Sequence, residues 1–219
     1  MSTSTAAIIL AAGSSSRMGA GRHKLLLPLG EHSVLAHVIA ATLASQARPI
    51  VVVLGHQMSQ VRESINAYTA DSAITIVENP EYQQGMSTSL RVGIQALISS
   101  PRSVNGALII LGDQPLMTAH ILDRLITTKQ STGKRIVASF YNGKRGSPTL
   151  FDACFFPELL EMTGDEGGRK VLERHQQEMA SVEFKDETAD YDVDTWEAYQ
   201  QVVAAWEQEH VESENSKHG

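Results

Sequence analysis

Ala6-Ala7-Ile8-Ile9-Leu10-Ala11-Ala12-Gly13-Ser14-Ser15-Ser16-Arg17-Met18-Gly19, followed a few residues on by Lys24, is the stretch on which the reading of this chain turns. Its continuous apolar run marks a buried strand, and the glycine-serine run that stops it marks a loop at the strand's carboxyl end. Small residues there let a backbone approach a phosphate chain closely, with N–H groups pointing inward and Arg17 and Lys24 supplying countercharge. The loop is not a Walker loop, because Ala20 follows Gly19 where Lys and Ser/Thr are required. It is not a dinucleotide fingerprint either, since Gly19-Ala20-Gly21 leads to Lys24 rather than to a third glycine. The competing description is a flexible surface loop with two ordinary basic residues.

Working outward, apolar runs alternate with helical patterns. Strands are predicted at Ala6–Ala11, Ile50–Leu54, Ala73–Val77, Ala107–Leu111, Arg135–Tyr141 and Ser181–Lys185, with a short segment at Thr149–Phe151. Helices are predicted at Val34–Ala47, Ser59–Tyr68, Gly85–Leu97, Ala119–Thr128, Glu166–Gln177 and Thr195–Glu207. Such alternation predicts an α/β fold in three layers, a mostly parallel sheet with helices on both faces. We read residues 1–205 as one domain without internal repeat or linker, and residues 206–219 as a polar, flexible tail. Ligands of such sheets sit beyond the carboxyl ends of the strands, which directs attention to the loops after the first, second and fourth strands.

The bulk properties narrow the function classes. A chain of 219 residues with 42% hydrophobic and 20% charged residues can bury a full core. Its formal net charge of -7 argues against broad binding to nucleic acid or to an anionic membrane, so a polyanionic ligand must meet a local basic cluster. Cys154 is the only cysteine, which excludes a disulfide framework and a thiolate metal cage and fits a reducing, cytoplasmic setting. Its neighbours Phe155 and Phe156 predict a buried thiol. The first apolar run is interrupted by Gly13 before it could serve as a signal or a membrane span.

Three further segments are candidates for chemistry. Asp113, between Gly112 and Pro115 at the end of a strand, can project a hard oxygen ligand into the cleft, as magnesium prefers, or can merely begin a turn. Asp192 and Asp194 lie just before the last helix, where either could reach the same ion; Asp194 with Glu197 also resembles a capping box. Ser87 and Ser89 offer hydroxyls near a helix N-terminus, where anions are favoured, or serve as plain caps. Arg91 falls on the solvent face of that helix. His56 has no visible partner and reads as structural, and Trp196 and Trp206 read as packing anchors.

At this point the chain resembles the molybdopterin nucleotidyltransferase-like family, whose signature L-A-A-G-x-S-x-R-M-G…K-L-L matches the first loop. Further matches follow in order: Gly85-Met86-Ser87-Thr88-Ser89-Leu90, Leu111-Gly112-Asp113-Gln114-Pro115, Gly146-Ser147-Pro148, Gly164-Asp165-Glu166-Gly167-Gly168-Arg169 and Asp192-Val193-Asp194-Thr195. They span Ala6 to about Tyr199. The resemblance implies a nucleotide-diphospho-sugar transferase-like, Rossmann-type fold and a magnesium-dependent enzyme. It places the nucleotide against Leu10, Ala11, Ala12, Gly13, Ser14, Lys24, Ser87, Ser89 and Gly112, and prefers Asp194 over Asp192 as the metal ligand beside Asp113. It places the acceptor, molybdopterin or the molybdenum cofactor, against Gly146, Ser147, Pro148, Asp165 and Arg169. The chain departs from the family with Ser147 where His is frequent and Gly168 where Ala is frequent. A guanylyl branch carries L-A-G-G and a cytidylyl branch L-A-A-G; Ala12 at the deciding position implies CTP, its methyl narrowing the base pocket. A molybdoenzyme or its maturation chaperone is the implied recipient of the product.

The implied chemistry is in-line attack of an acceptor phosphate oxygen on the α-phosphorus of the nucleotide, with pyrophosphate leaving. A phosphate nucleophile is already ionised at neutral pH and needs no general base, so Lys24, Arg17 and Asp113 serve by positioning and charge neutralisation. Three other readings compete: a sugar or polyol phosphate as acceptor, a non-catalytic carrier of the molybdenum cofactor, and an oxidoreductase on the same scaffold. The last lacks any nicotinamide fingerprint.

Overall fold

The computed structural model describes residues 4–19, 21–166, 168–185 and 188–215, with 166 and 209–215 as backbone only. In chain order the elements are β1 (Ser4–Ala11), β2 (Pro28–Leu29), β3 (His32–Ser33), α1 (Val34–Ala44), β4 (Ile50–Leu54), α2 (Met58–Ser64), β5 (Ile74–Glu78) and α3 (Met86–Ile98). There follow β6 (Val104–Leu111), α4 (Ala119–Thr132), β7 (Ile136–Tyr141), β8 (Lys144–Asp152), α5 (Phe156–Leu160), α6 (Arg169–Arg174), β9 (Met179–Phe184) and α7 (Trp196–Asn215). Seven strands form one sheet in the order β5-β4-β1-β6-β8-β7-β9, and β2 pairs with β3. Only β8 runs against its neighbours β6 and β7; the other ladders of the large sheet are parallel.

The side-chain alternation of the central strands explains the layers. Ala7, Ile9 and Ala11 of β1 join Ile50, Val52, Leu54, Leu108 and Ile110 on one face, covered by Leu35 and Ile39 of α1, Val61 of α2 and Leu122 and Leu125 of α4. Ala6 and Ile8 join Val51, Val53 and Ala107 on the other, covered by Leu90 and Ile94 of α3, Leu159 of α5 and Val171 of α6. Both faces are apolar, so each strand reads as an unbroken apolar run rather than as an alternation.

Three expectations need correction. The segment expected at Thr149–Phe151 is part of a nine-residue strand, β8, entered from β7 through Asn142 and Gly143, both at positive φ (49° and 70°). That conformation suits a tight Asn-Gly hairpin turn. Cys154 is exposed, because it sits in a short 3-10 turn from which Phe155 goes into the core with the following Phe156. Finally, α7 runs to Asn215, so the boundary expected at 206 falls inside a helix, where Trp206 packs over Gly30; residues 216–219 lie outside the described residues. A further apolar cluster of Met18, Leu29, Val34, Leu116, Val193, Tyr199 and Val202 seats this helix beside the first loop.

Candidate active site

The loop leaving β1 is closed by its own side chains. Ser15 adopts a left-handed conformation and begins a 3-10 turn whose Met18 is buried, and the Lys24 backbone N–H donates to Ser15 Oγ at 3.1 Å. Lys24 therefore leaves the loop pointed back across it, beside the buried Leu25. On the neighbouring strand, the Gly112 N–H donates to the Leu10 carbonyl at 2.9 Å, so Gly112 packs on β1 and seats Asp113. The Val193 N–H donates to the Asp113 carbonyl at 3.0 Å and draws the segment ahead of α7 to the same point.

The result is a cluster of opposite charges far apart in sequence. Lys24 Nζ is hydrogen-bonded to Asp113 Oδ2 and, at 2.8 Å, to Asp194 Oδ1; Arg17 pairs with Asp194 Oδ2 at 2.8 Å. Burial works to lower the Lys24 pKa, but Asp113 and Asp194 outweigh it and hold the ammonium above its usual range. Burial works to raise the Asp194 pKa, and Lys24 and Arg17 bring it below the ordinary carboxylate value. Asp192 is pushed up, first by burial and then by the charges of Asp194 and Asp113. The capping of α7 falls to Thr195, whose Oγ1 accepts the Ala198 N–H at 3.1 Å, and Asp194 is left to the cations.

This cluster lies in a cleft of about 540 Å³ lined by Leu10, Ala11, Ala12, Gly13, Ser14, Arg17, Lys24, Asp113, Asp192 and Asp194 from the expected set. Its opposite wall is the start of α3 with Tyr82 and Gln83. That wall is organised by Asn79, a buried residue whose Nδ2 donates to Thr88 Oγ1 at 2.8 Å and to Ser89 Oγ at 2.9 Å. Ser89 lines the cleft, whereas the Ser87 hydroxyl is buried with no hydrogen-bond partner among the described residues. Neither caps α3: Asp165 does, accepting the Met86 N–H at 3.1 Å. Gly85, at φ 108°, is required there, because a Cβ would stand 2.6 Å from the Gly164 carbonyl carbon. Arg91 is not solvent-directed; it donates to the carbonyls of Leu160 and Met162. The Ala12 methyl is packed on Gly55, where an added Cβ would lie 2.8 Å from it, and so shapes the cleft mainly by seating the loop. Beneath the loop the buried His23 stacks on His56 at 5.5 Å and donates from Nε2 to the His56 carbonyl, which gives His56 a structural place.

A second cavity, of about 360 Å³, adjoins the first and shares Met86, Leu111 and Asp192 with it. Gly146, Ser147 and Arg169 line it as expected. Two acceptor-side residues fall elsewhere: Asp165 lines the first cavity, and Pro148 is buried behind the second, its carbonyl accepting from Ser139 Oγ at 2.8 Å. Tyr82, Asn79, Gln114, Arg145 and Asp190 belong to these walls and were missed. The Asn79-Pro80 step after a strand is a legible turn signal and Gln114 lies inside the Leu111–Pro115 match; Tyr82, Arg145 and Asp190 carry none.

Among the described residues no group of three or more His, Cys, Asp or Glu side chains is arranged as a ready metal site. The donor chemistry nevertheless fits a hard divalent cation. Asp113 and Asp194 both bond one ammonium nitrogen, so their oxygens converge on a common point, and magnesium or manganese commonly uses one or two carboxylates with substrate phosphates completing the shell.

A mostly parallel sheet that presents a glycine-serine loop, a lysine and paired carboxylates at its carboxyl end has the architecture of the nucleotide-diphospho-sugar transferase fold. The chain belongs to the family of the MobA-like NTP transferase domain, whose profile matches residues 7–179. It is 29% identical over 188 residues to the molybdenum cofactor cytidylyltransferase of Escherichia coli K12, covering 86% of this chain and 90% of that one. It is 33% identical over 132 residues to the bifunctional protein GlmU of Thermobifida fusca, covering 60% of this chain and 27% of GlmU. The chain thus spans little more than a quarter of that relative's length. The crystal structure of Rv0371c from Mycobacterium tuberculosis H37Rv superposes with a TM-score of 0.77 at 27% identity, covering 93% of this chain and 99% of that one; Rv0371c is also known in complex with manganese. No helix among the described residues is long and apolar enough to cross a membrane.

Proposed function

We propose that the chain is a magnesium-dependent cytidylyltransferase that transfers CMP from CTP to the terminal phosphate of molybdopterin or the molybdenum cofactor, releasing pyrophosphate. The observation that carries this reading is the pair of cavities that meet at Asp192, beside Lys24, Asp113 and Asp194. A nucleotide in the larger one and a phosphorylated acceptor in the smaller one bring their phosphates to the charged cluster. The likeness to a molybdenum cofactor cytidylyltransferase over 86% of this chain supports the choice of acceptor, and the L-A-A-G form of the first loop, with Ala12, supports CTP.

In this mechanism the loop amides around Gly13 and Ser14 hold the triphosphate, and Arg17 and Lys24 neutralise its charge. Asp113 and Asp194, with Asp192 beside them, would hold the divalent cation. Bound there, it supplies Lewis-acid neutralisation of charge on the reacting phosphates. The acceptor phosphate is ionised at neutral pH, so no side chain has to remove a proton, and catalysis rests on alignment of two phosphates. The test is incubation with each NTP, magnesium and molybdopterin, with the product identified by mass. A cytidine adduct with released pyrophosphate is expected. Turnover only with a sugar or polyol phosphate, or no adduct with any nucleotide, overturns the reading.

A further inference from the structure

Among the residues that line the second cavity, Gln114 and Ser147 keep buried polar atoms with no partner among the described residues. Gln114 is only 3% exposed. Its Nε2 donates to the Asp190 carbonyl at 3.4 Å and to Asp190 Oδ1 at 3.2 Å. Both partners are acceptors, so the amide has one orientation, and Gln114 Oε1 is left buried with no partner among the described residues. Ser147 repeats the pattern: its N–H donates to Asp190 Oδ1 at 3.3 Å while its Oγ is buried with no partner among the described residues. Asp190 Oδ1 thus takes two bonds, and Oδ2 takes none among the described residues. Gly146 is part of the same construction, because a Cβ there would stand 2.3 Å from Asp190 Oδ1.

Buried polar atoms without partners are costly, and a cavity that keeps several on one wall is built to have them matched by a ligand. This wall is rich in acceptors: a carboxylate, an amide oxygen, and a hydroxyl that can play either part. The walls beside it are apolar, formed by Ile109, Leu111, Phe151 and Leu172, while Arg145 and Arg169 bring cations to the lining. A ligand that answers all three is flat, presents a pair of adjacent N–H donors at one end, and carries a negative group.

We propose that Asp190 and Gln114 read the donor edge of a cyclic acylguanidine, the ring N–H and adjacent exocyclic amine of a 2-amino-4-oxo pteridine, and so set the specificity of the acceptor cavity. This rests on the molybdopterin reading above and names the residues that would enforce it. Neither residue touches the triphosphate cluster, so the wall selects the acceptor without a part in the transfer step.

The test compares 6-methylpterin with 6-methyllumazine, in which an oxygen replaces the exocyclic amine. Binding to the full chain, saturated with a non-hydrolysable CTP analogue and magnesium, is followed by ligand-observed NMR. The wild-type protein is expected to prefer the pterin at least about tenfold, because lumazine turns a carbonyl toward the carboxylate. Asp190→Asn can donate to that carbonyl and is expected to erase or invert the preference, with CTP affinity unchanged. Gln114→Leu is a second variant that weakens pterin binding without changing charge. Equal binding of the two rings by the wild-type protein, no detectable pterin binding, or a preference unmoved in both variants overturns the proposal. The mass assay on the same preparations separates the two readings. A cytidine adduct of molybdopterin formed without ring preference sinks only the specificity wall, and absence of any adduct sinks the activity.

Discussion

Replacing Lys24 by Met keeps the length of the stem and removes the one charge that ties Asp113 to Asp194. The Lys24 side chain is 15% exposed and its partners are 13% and 21% exposed, so all three charges are largely out of water. At an effective dielectric of about 20, unit charges about 4 Å apart attract by about 4 kcal/mol, giving about 8 kcal/mol gross for two partners. Most of that only offsets the several kcal/mol of desolvating an ammonium, but removing one member of a buried set leaves the others uncompensated, at a cost of about 3 kcal/mol. For a domain of this size that is a fall in Tm of about 6–12 °C, read by calorimetry at pH 7. Arg17, 69% exposed, cannot make good the loss. A divalent cation can, by taking the position of the ammonium. Manganese or magnesium is therefore expected to restore a larger part of the lost Tm in Lys24→Met than it adds to the wild type, while transferase activity stays at least about a hundredfold down. An unchanged Tm, or an equal response of both proteins to the cations, would refute the view that the ammonium and a metal share one place between the two carboxylates.

Asp113→Asn and Asp194→Asn are each expected to lower kcat by about a hundredfold or more with unaltered circular dichroism, and Asp192→Asn by less, in a continuous pyrophosphate-release assay. The Asp152 carboxyl gives a pH signature. Burial works to raise its pKa, but hydrogen bonds from Lys129 and Cys154 hold it below the ordinary 3.8. A depressed carboxyl stabilises the fold above its unfolded pKa and loses that contribution as pH falls through the folded value. Lys129→Met should therefore lower the urea midpoint at pH 7 and lower it less at pH 3; an equal loss at both would contradict the pairing. Gly93→Ala tests the approach of α3 to β1: the added methyl would stand 2.5 Å from Ile8 Cγ2, and the overpacking is expected to cost about 1–2 kcal/mol despite the better helix propensity of Ala, seen in urea unfolding.

What the sequence made legible follows from how local the governing physics was. The unbroken apolar runs of β1 and β4 could hardly be anything but strands buried on both faces, and Gly13 and Gly55 stop them close to where the chain turns. The hairpin of β7 and β8 is signalled by Asn142-Gly143 but hidden by Lys144 and Arg145, whose charges make the first half of β8 look like loop; both are exposed beside the turn. The length of α7 is hidden in the sequence because its polar composition resembles that of a disordered tail, while Trp206 has an aromatic seat over Gly30 and beside His37 that only tertiary structure provides.

The site divides along the same line. Its nucleotide side is built from segments whose roles are local, a loop, a strand end and a helix start, and Lys24, Arg17, Ser89 and Asp113 could be picked out one at a time. Its acceptor side depends on the strap of residues 190–194, which crosses the ends of the strands and is held by the backbone bond from Val193 to Asp113, by the contacts of Asp190 with Gln114 and Ser147, and by the pairing of Asp194 with Lys24 and Arg17. Within that strap Asp190 faces the acceptor cavity, Asp192 lines both cavities, and Asp194 faces the lysine. An extended segment with side chains two apart presents them in one direction, yet here the three carboxylates serve different neighbours because the strap turns at the strand ends. Asp190 was therefore invisible to a reading based on spacing. The same strap makes the acceptor wall and the charged cluster mechanically one piece, so a substitution that loosens it, such as Val193→Gly, should raise the KM for the acceptor and lower kcat together, whereas Asp190→Asn should change the acceptor KM alone.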